Sequence, residues 1–158
     1  MNETKSMIQT RAIQRSDYEV WLQLWEGYNA FYGRSGETAL PQTVTDVTWE
    51  RFFNPQEPVH AHVAEEGQTV VGIAHFLYHR STTRIEPLCY LQDLFTHPSI
   101  RRRGVARALI ESVQRESLAA GVRRLYWQTH YGNNVARGLY DKVAQHHGFI
   151  VYALDALP

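Results

Sequence analysis

Arg101, Arg102 and Arg103 stand together before Gly104 and Val105-Ala106-Arg107, where an amphipathic helix opens. A helix N-terminus carries roughly half a positive charge from its unpaired N–H groups, so a cation there costs about 0.3–1 kcal/mol unless an anion joins it. Gly104 lets a ligand approach the backbone, small Ala106 preserves that closeness, and the N–H groups beyond are donors for phosphate oxygens. The run lacks GxxxxGK[ST], which excludes a P-loop, and the chain has no GxGxxG dinucleotide fingerprint. The plainer alternative is a solvated basic turn, and the dipole argument weighs against it.

Other reactive side chains carry weaker patterns. His60 and His62 share a strand face and, with His75 or His79 across a hairpin, would resemble a metal cluster. No Cys or carboxylate falls at a supporting spacing, so half-exposed sheet positions explain them better and no metal is expected. His146-His147 reads as a solvated helix end. Cys89 is the single cysteine; it admits no internal disulfide and reads as a small buried strand residue rather than a nucleophile.

Across 158 residues, 16 basic and 16 acidic side chains cancel, and the pI is about 7.1. That balance argues against nucleic acid or an anionic membrane as partner, so any polyanion site must be local. The first residues, MNETKSMIQT, lack a signal-type apolar region, and no apolar run is long enough for a membrane span. A cytoplasmic protein is the default expectation. The length suits a single domain over 1–158, with 1–6 frayed.

The elements that must position the arginines follow in order. Residues 7–13 alternate as a first strand, and Ser16 or Asp17 caps a helix over 18–31 with an aromatic stripe of Trp21, Trp25, Tyr28 and Phe31. That stripe is either core packing or one wall of a substrate pocket. Thr45 or Asp46 caps a short helix over 47–53, and 59–65 and 69–79 form a hairpin around Glu66-Gly67-Gln68. A strand ending in Asp-Leu-Phe-Thr-His-Pro enters the arginine run and the helix that Gly121 ends. Residues 124–130 read as a strand, 134–145 as a helix capped by Asn133 or Asn134 and closed by Gly148, and 149–154 as a last strand. The order predicts an α/β fold: a mixed central sheet whose mostly antiparallel N-terminal half meets a strand-helix-strand crossover at the arginines.

Two segments carry a family resemblance. Arg101-Arg102-Arg103-Gly104-Val105-Ala106 resembles the Q/R-x-x-G-x-G/A motif of the GCN5-related N-acetyltransferases (GNAT), and Asn133 to Phe149 is similar to their N-x-x-A-x-x-x-Y segment with its GF start to a last strand. The pattern is closest to the diamine acetyltransferase-like branch. The resemblance implies a splayed acetyl-CoA site, with no metal, in a transferase that is typically a homodimer. It places Leu94, Phe95, Thr96, Arg101, Arg102, Arg103, Gly104, Val105, Ala106 and Arg107 against the coenzyme, with Asn133 on the pantetheine arm and Ala136 leaving room for it. Tyr140 is implied as the general acid beside the sulfur. The chain departs from the pattern at Arg102, commonly Gly, which implies a backbone without a Gly-only conformation, and at 143–147, which would lengthen the helix end.

The implied chemistry is direct attack of an amine on a thioester. A lysine-like amine with pKa near 10.4 is almost wholly protonated at pH 7, and freeing it costs about 4.6 kcal/mol. A base or water wire must take that proton, while strand N–H groups around Leu94, Phe95 and Thr96 meet the developing oxyanion. Diamine acetyltransferases have a glutamate where Gln92 stands here, and Gln92 cannot be a base. Adjacent Asp93 is the candidate, although simple alternation sets the two on opposite faces. A water chain from Glu26, Tyr28 or a histidine is the other route. Trp25, Glu26 and Tyr28 are the candidate acceptor-side residues, the rings holding an aminium by cation–π contact. The acceptor itself stays open among polyamine, aminoglycoside, small amino acid and protein lysine. The missing glutamate also allows a non-catalytic acyl-CoA-binding regulatory module.

Overall fold

The computed structural model describes residues 7–156, in two compact units divided after Gln128. In the first, the strands are β1 (Ile8–Ala12), β2 (Val59–Glu66), β3 (Thr69–His79), β4 (Leu88–Thr96) and β5 (Leu125–Tyr126). They lie in sequence order in one sheet; the first three pairings are antiparallel and β4 pairs β5 in parallel. The predicted mixed α/β architecture is therefore present. Residues 1–6 lie outside the described range.

Helix α1 (Tyr18–Phe31) packs over β3 and β4 on one face, and α3 (Val105–Ala119) crosses β1 to β4 on the other. Trp21, Leu24, Trp25 and Tyr28 recur at helical spacing, so one side of α1 joins Trp49, Ala61, Val63, Ile73 and Phe95 in the core. Each such large side chain contributes about 1.5–3 kcal/mol by leaving water. On the opposite face, α3 buries Val105, Leu109, Ile110 and Val113. Gly72 of β3 permits that approach: a Cβ there would stand 2.7 Å from Val105 Cγ1 and 3.2 Å from the Phe95 carbonyl. The start of α3 is thus held close against the sheet.

Three boundaries differ from expectation. Helix α2 (Gln42–Arg51) begins directly after Pro41, whose fixed φ suits a helix entry. Thr45, read as a cap, is instead buried and accepts from Trp25 Nε1 at 3.2 Å. Asp17 occupies the N-cap position of α1, but its carboxylate accepts from Gln14 N–H and from Arg11 rather than capping α1. Strand β5 keeps only two residues of the predicted 124–130. Aromatic and β-branched content marks residues that suit a sheet but cannot provide a partner, and the ladder to β4 ends at Tyr90 and Tyr126.

The second unit contains α4 (Asn134–Val143), whose N-cap Asn133 accepts from Ala136 N–H at 3.4 Å. Ala144 is extended, so 143–147 does not lengthen the helix. Phe149, Ile150, Val151, Tyr152 and Leu154 are exposed and unladdered, so the last strand expected at 149–154 is absent from the described chain. An alternating sequence becomes a strand only when another strand takes its backbone bonds.

Candidate active site

A β-bulge in β4 creates the chemistry of the first unit. His75 stands opposite Asp93 and Phe76 opposite Leu91, so Gln92 is an extra residue with no opposite number. Before the bulge, Leu91 pairs with Phe76, whose ring packs on His62, and His62 Nδ1 lies 2.8 Å from Ser112 Oγ on α3. After it, Asp93 points to the α1 face. Unbroken alternation would have kept Asp93 on the face of Cys89 and Leu91, so the bulge is what delivers its carboxylate to the α1 side. The bulge thus alters the alternation on which Asp93 reads as a poor base. Gln92 itself is exposed.

Asp93 is buried and held by His75. Trp21 Nε1–H donates to His75 Nε2 at 3.0 Å, and His75 Nδ1 lies 3.0 Å from Asp93 Oδ2. An indole N–H can only donate, so Nε2 is bare and the imidazole proton sits on Nδ1, donated to Asp93. The Tyr28 phenol lies close enough to feel the Asp93 charge. Burial first, and then the Asp93 charge, raise the Tyr28 phenol far above its ordinary range, so it remains a protonated donor. Tyr90, raised by burial and then by Tyr126 and Asp93, stacks on Tyr126 with centroids 5.1 Å apart. Tyr126 in turn meets His79 Nε2 at 2.7 Å. The result is a phenol-lined polar basin around a single carboxylate.

The same strand also turns donors to its outer edge. His97 N–H bonds the Val71 carbonyl at 2.8 Å, and the two-residue period of an antiparallel ladder then aims Phe95 and Asp93 at β3 and turns the N–H groups of Leu94 and Thr96 to the other edge. That edge has no ladder beyond Tyr90 because β5 stops there. Two outward N–H groups about 7 Å apart thus adjoin the Asp93 basin. Phe95 is buried in the core beneath them.

The arginine run follows the turn Pro98–Ile100. Gly104 has φ +82° and Arg102 φ +66°. The expectation that Arg102 would forgo a glycine-type conformation is therefore overturned: it adopts the left-handed region, at a cost of about 1–2 kcal/mol for an L-residue. No side chain caps α3, and its first bond is Ala108 N–H to Gly104 O, so the N–H groups of Val105, Ala106 and Arg107 precede it. Arg103 pairs with Glu66 at 2.7 Å and Arg107 with Glu111 at 3.1 Å. Exposed Arg101 and Arg102 have no carboxylate partner among the described residues. An uncapped helix start with two unpaired guanidiniums suits a phosphate-rich ligand.

The remaining candidates divide. Trp25 is core, stacked on Tyr28 with centroids 5.6 Å apart, and Tyr28 feels the Asp93 charge. Glu26 is exposed, one helical step off the buried stripe, and is not brought to the basin. His60 and His62 face α3 while His75 faces α1, so they form no common cluster. In the second unit Asn133, Ala136 and Tyr140 are half-buried on or beside α4. A separate cavity of about 460 Å³ lies along α1, lined by residues that include Leu24, Gly27, Phe95 and Arg101. Sequence reading missed the roles of His75 and Trp21. The only advance signal was a histidine inside the apolar run of β3, and its partner depended on register.

Comparison with known proteins agrees with this geometry. The model of the acetyltransferase (GNAT) family matches residues 19–144. The D-amino-acid N-acetyltransferase HPA3 of Saccharomyces cerevisiae is 33% identical over 147 residues, covering 92% of this chain and 89% of that protein. The thialysine N-epsilon-acetyltransferase of Caenorhabditis elegans is 33% identical over 85 residues, 54% of this chain and 52% of that protein. Among solved structures, AAC(6')-Iy in complex with the bisubstrate analog CoA-S-monomethyl-acetylneamine superposes with TM-score 0.80 at 18% identity, covering 96% of this chain and all (100%) of that one. An aminoglycoside acetyltransferase from an uncultured soil metagenomic sample gives TM-score 0.80 at 17% identity, covering 99% and 100%. Both share the fold. With the family match spanning the bulged strand, the arginine run and α4, the chain belongs to the GNAT acetyltransferase family and is an acetyltransferase.

Proposed function

We propose that this protein transfers the acetyl group of acetyl-CoA directly to a primary amine of a small molecule, polyamine-like or amino acid-like, or of a protein lysine. The observation that carries the reading is Asp93, held by His75 beside the unladdered N–H groups of β4. The relatives' acceptors support an amine: a D-amino acid, thialysine and aminoglycosides. Acetyl-CoA supplies an activated acyl group and a thiolate leaving group.

The residues fit that cosubstrate. Arg101, Arg102 and the N–H groups opening α3 take its pyrophosphate, with Gly104, Val105 and Ala106 as backbone floor and Arg103 and Arg107 adding charge. Leu94 and Thr96 N–H groups meet the pantetheine arm and the thioester oxygen as negative charge develops on it, while Phe95 supports the strand from the core. Asn133 and Ala136 receive the rest of the arm. Asp93 takes a proton from the bound aminium, and the Asp93-His75-Trp21 chain keeps the carboxylate aimed. Tyr140 gives a proton to the departing sulfur. Tyr28, with Trp25 stacked behind it, borders the acceptor. The reading also takes 1–158 as one transferase domain, a cytoplasmic homodimer without nucleic-acid or membrane partner; the family match crosses the boundary after Gln128. Among the described residues no helix is long and apolar enough to span a membrane.

Purified protein incubated with acetyl-CoA and a panel of amines, while free thiol is followed, tests the reading. Amine-dependent thiol release is expected, and a Tyr140→Phe rate about 10²–10⁴-fold lower. Tight coenzyme binding with no release for any amine would overturn direct transfer and favour a binding module. A Tyr140→Phe rate within about threefold of the parent would remove the general acid.

A further inference from the structure

We propose that the acceptor is an amino acid, and that Arg34 receives its carboxylate while Asp93 receives its amine; this rests on the transferase reading above. After α1 ends, Gly33 takes φ +76° and folds the chain back so that Arg34 N–H bonds the Asn29 carbonyl at 2.8 Å. Asn29 is buried, 5% exposed. Its Nδ2 donates to the Trp25 carbonyl at 2.9 Å, and its Oδ1 accepts from Arg34 Nε at 2.7 Å. A carbonyl can only accept, so the amide orientation is determined and Oδ1 must be the atom that faces the guanidinium. A buried amide is thus used to aim an arginine.

The aim is consistent with a ligand. The guanidinium lies 5.8 Å from the Tyr28 ring centroid and 5.5 Å from that of Tyr32, and these aromatic contacts steady it without neutralising it. With Nε taken by Asn29, Nη1 and Nη2 form a free fork, the geometry that matches a carboxylate. No carboxylate of the described chain fills it.

Arg34, over the Tyr28 ring, and Asp93 act in opposite directions on that phenol: the Asp93 charge raises it and Arg34 lowers it. Opposite charges are therefore set about a single protonated hydroxyl. A zwitterion complements both, its aminium meeting Asp93 and its carboxylate meeting Arg34. A polyamine or an aminoglycoside would bring further cations toward Arg34, whose guanidinium is aimed by Asn29 and has no carboxylate partner among the described residues. Charge pattern thus separates the acceptor classes left open by the family.

The test compares amino acids of both hands with their carboxamides and decarboxylated amines, together with spermidine, by acetyl-CoA-dependent thiol release. Preferred amino acids should exceed their carboxamides by at least a hundredfold in kcat/KM. Arg34→Gln should lower kcat/KM for the amino acid at least thirtyfold, mainly through KM, and leave the decarboxylated amine within twofold; Arg34→Lys should restore part of the loss. Equal rates for acid and carboxamide, a better rate with spermidine, or equal losses on all substrates in Arg34→Gln would overturn the proposal. Calorimetry of the same amino acids on the CoA-saturated protein keeps the two readings distinct. Arg34-dependent amino acid binding without thiol release would refute transfer alone, and absence of such binding would refute the carboxylate site.

Discussion

Replacing Asp93 by Asn changes the base while leaving its surroundings in place. His75 Nδ1–H, 3.0 Å from Oδ2, can still donate to an amide oxygen. Loss of charge-assisted bonding should therefore cost only about 1–2 kcal/mol of stability. Catalysis should lose far more. A positioned base contributes about 10²–10⁴-fold, or about 3–5 kcal/mol at 1.36 kcal/mol per decade. Without it, the enzyme depends on amine already free in solution, a fraction that grows about tenfold per pH unit below a pKa near 10.4. Thiol release between pH 7 and 10 should then fall by at least a hundredfold at pH 7 in Asp93→Asn and climb steeply with pH, narrowing the gap to the parent. An Asp93→Asn rate within threefold of the parent at pH 7, with an unchanged pH profile, would refute the assignment.

Two structural predictions accompany it. Gly72→Ala places a methyl 2.7 Å from Val105 Cγ1, with the Phe95 carbonyl at 3.2 Å; the overpacking should cost about 1–3 kcal/mol in urea unfolding and weaken CoA binding by displacing the start of α3. Asp17 is held below its ordinary value of 3.8, first by the Arg11 hydrogen bond and against its own burial. Its contribution is therefore full above that ordinary value and is lost as pH falls through the lower, folded-state value. Asp17→Asn should cost about 1–3 kcal/mol at pH 7, between exposed and buried pairs, and the difference from the parent should shrink in melts below pH 3. A constant difference across that range would sink the assignment.

Much of the machinery was legible before any coordinates. The arginine run, the hairpin 59–79, the aromatic side of α1 and the Asn133 cap all follow from local rules: helix dipole, turn chemistry, helical periodicity and capping. Arg102 shows where such rules stop. Its departure from the usual glycine suggested a different backbone, yet Arg102 takes φ +66° all the same. Phe149 to Leu154 shows the converse, a strand pattern without a ladder in the described chain.

The sequence by itself determined which residues can bind an anion and which helix starts beside them, because both are properties of neighbours along the chain. Only the tertiary structure decided what Asp93 can do. A single unmatched residue, Gln92, reverses the facing of everything after it, and such a slip is invisible to a period-two pattern. The same applies to His75, Trp21, Asn29 and Arg34. Their partners lie across the sheet or behind a turn, and register and burial, rather than residue type, convert them into a line of fixed protons and an aimed cation.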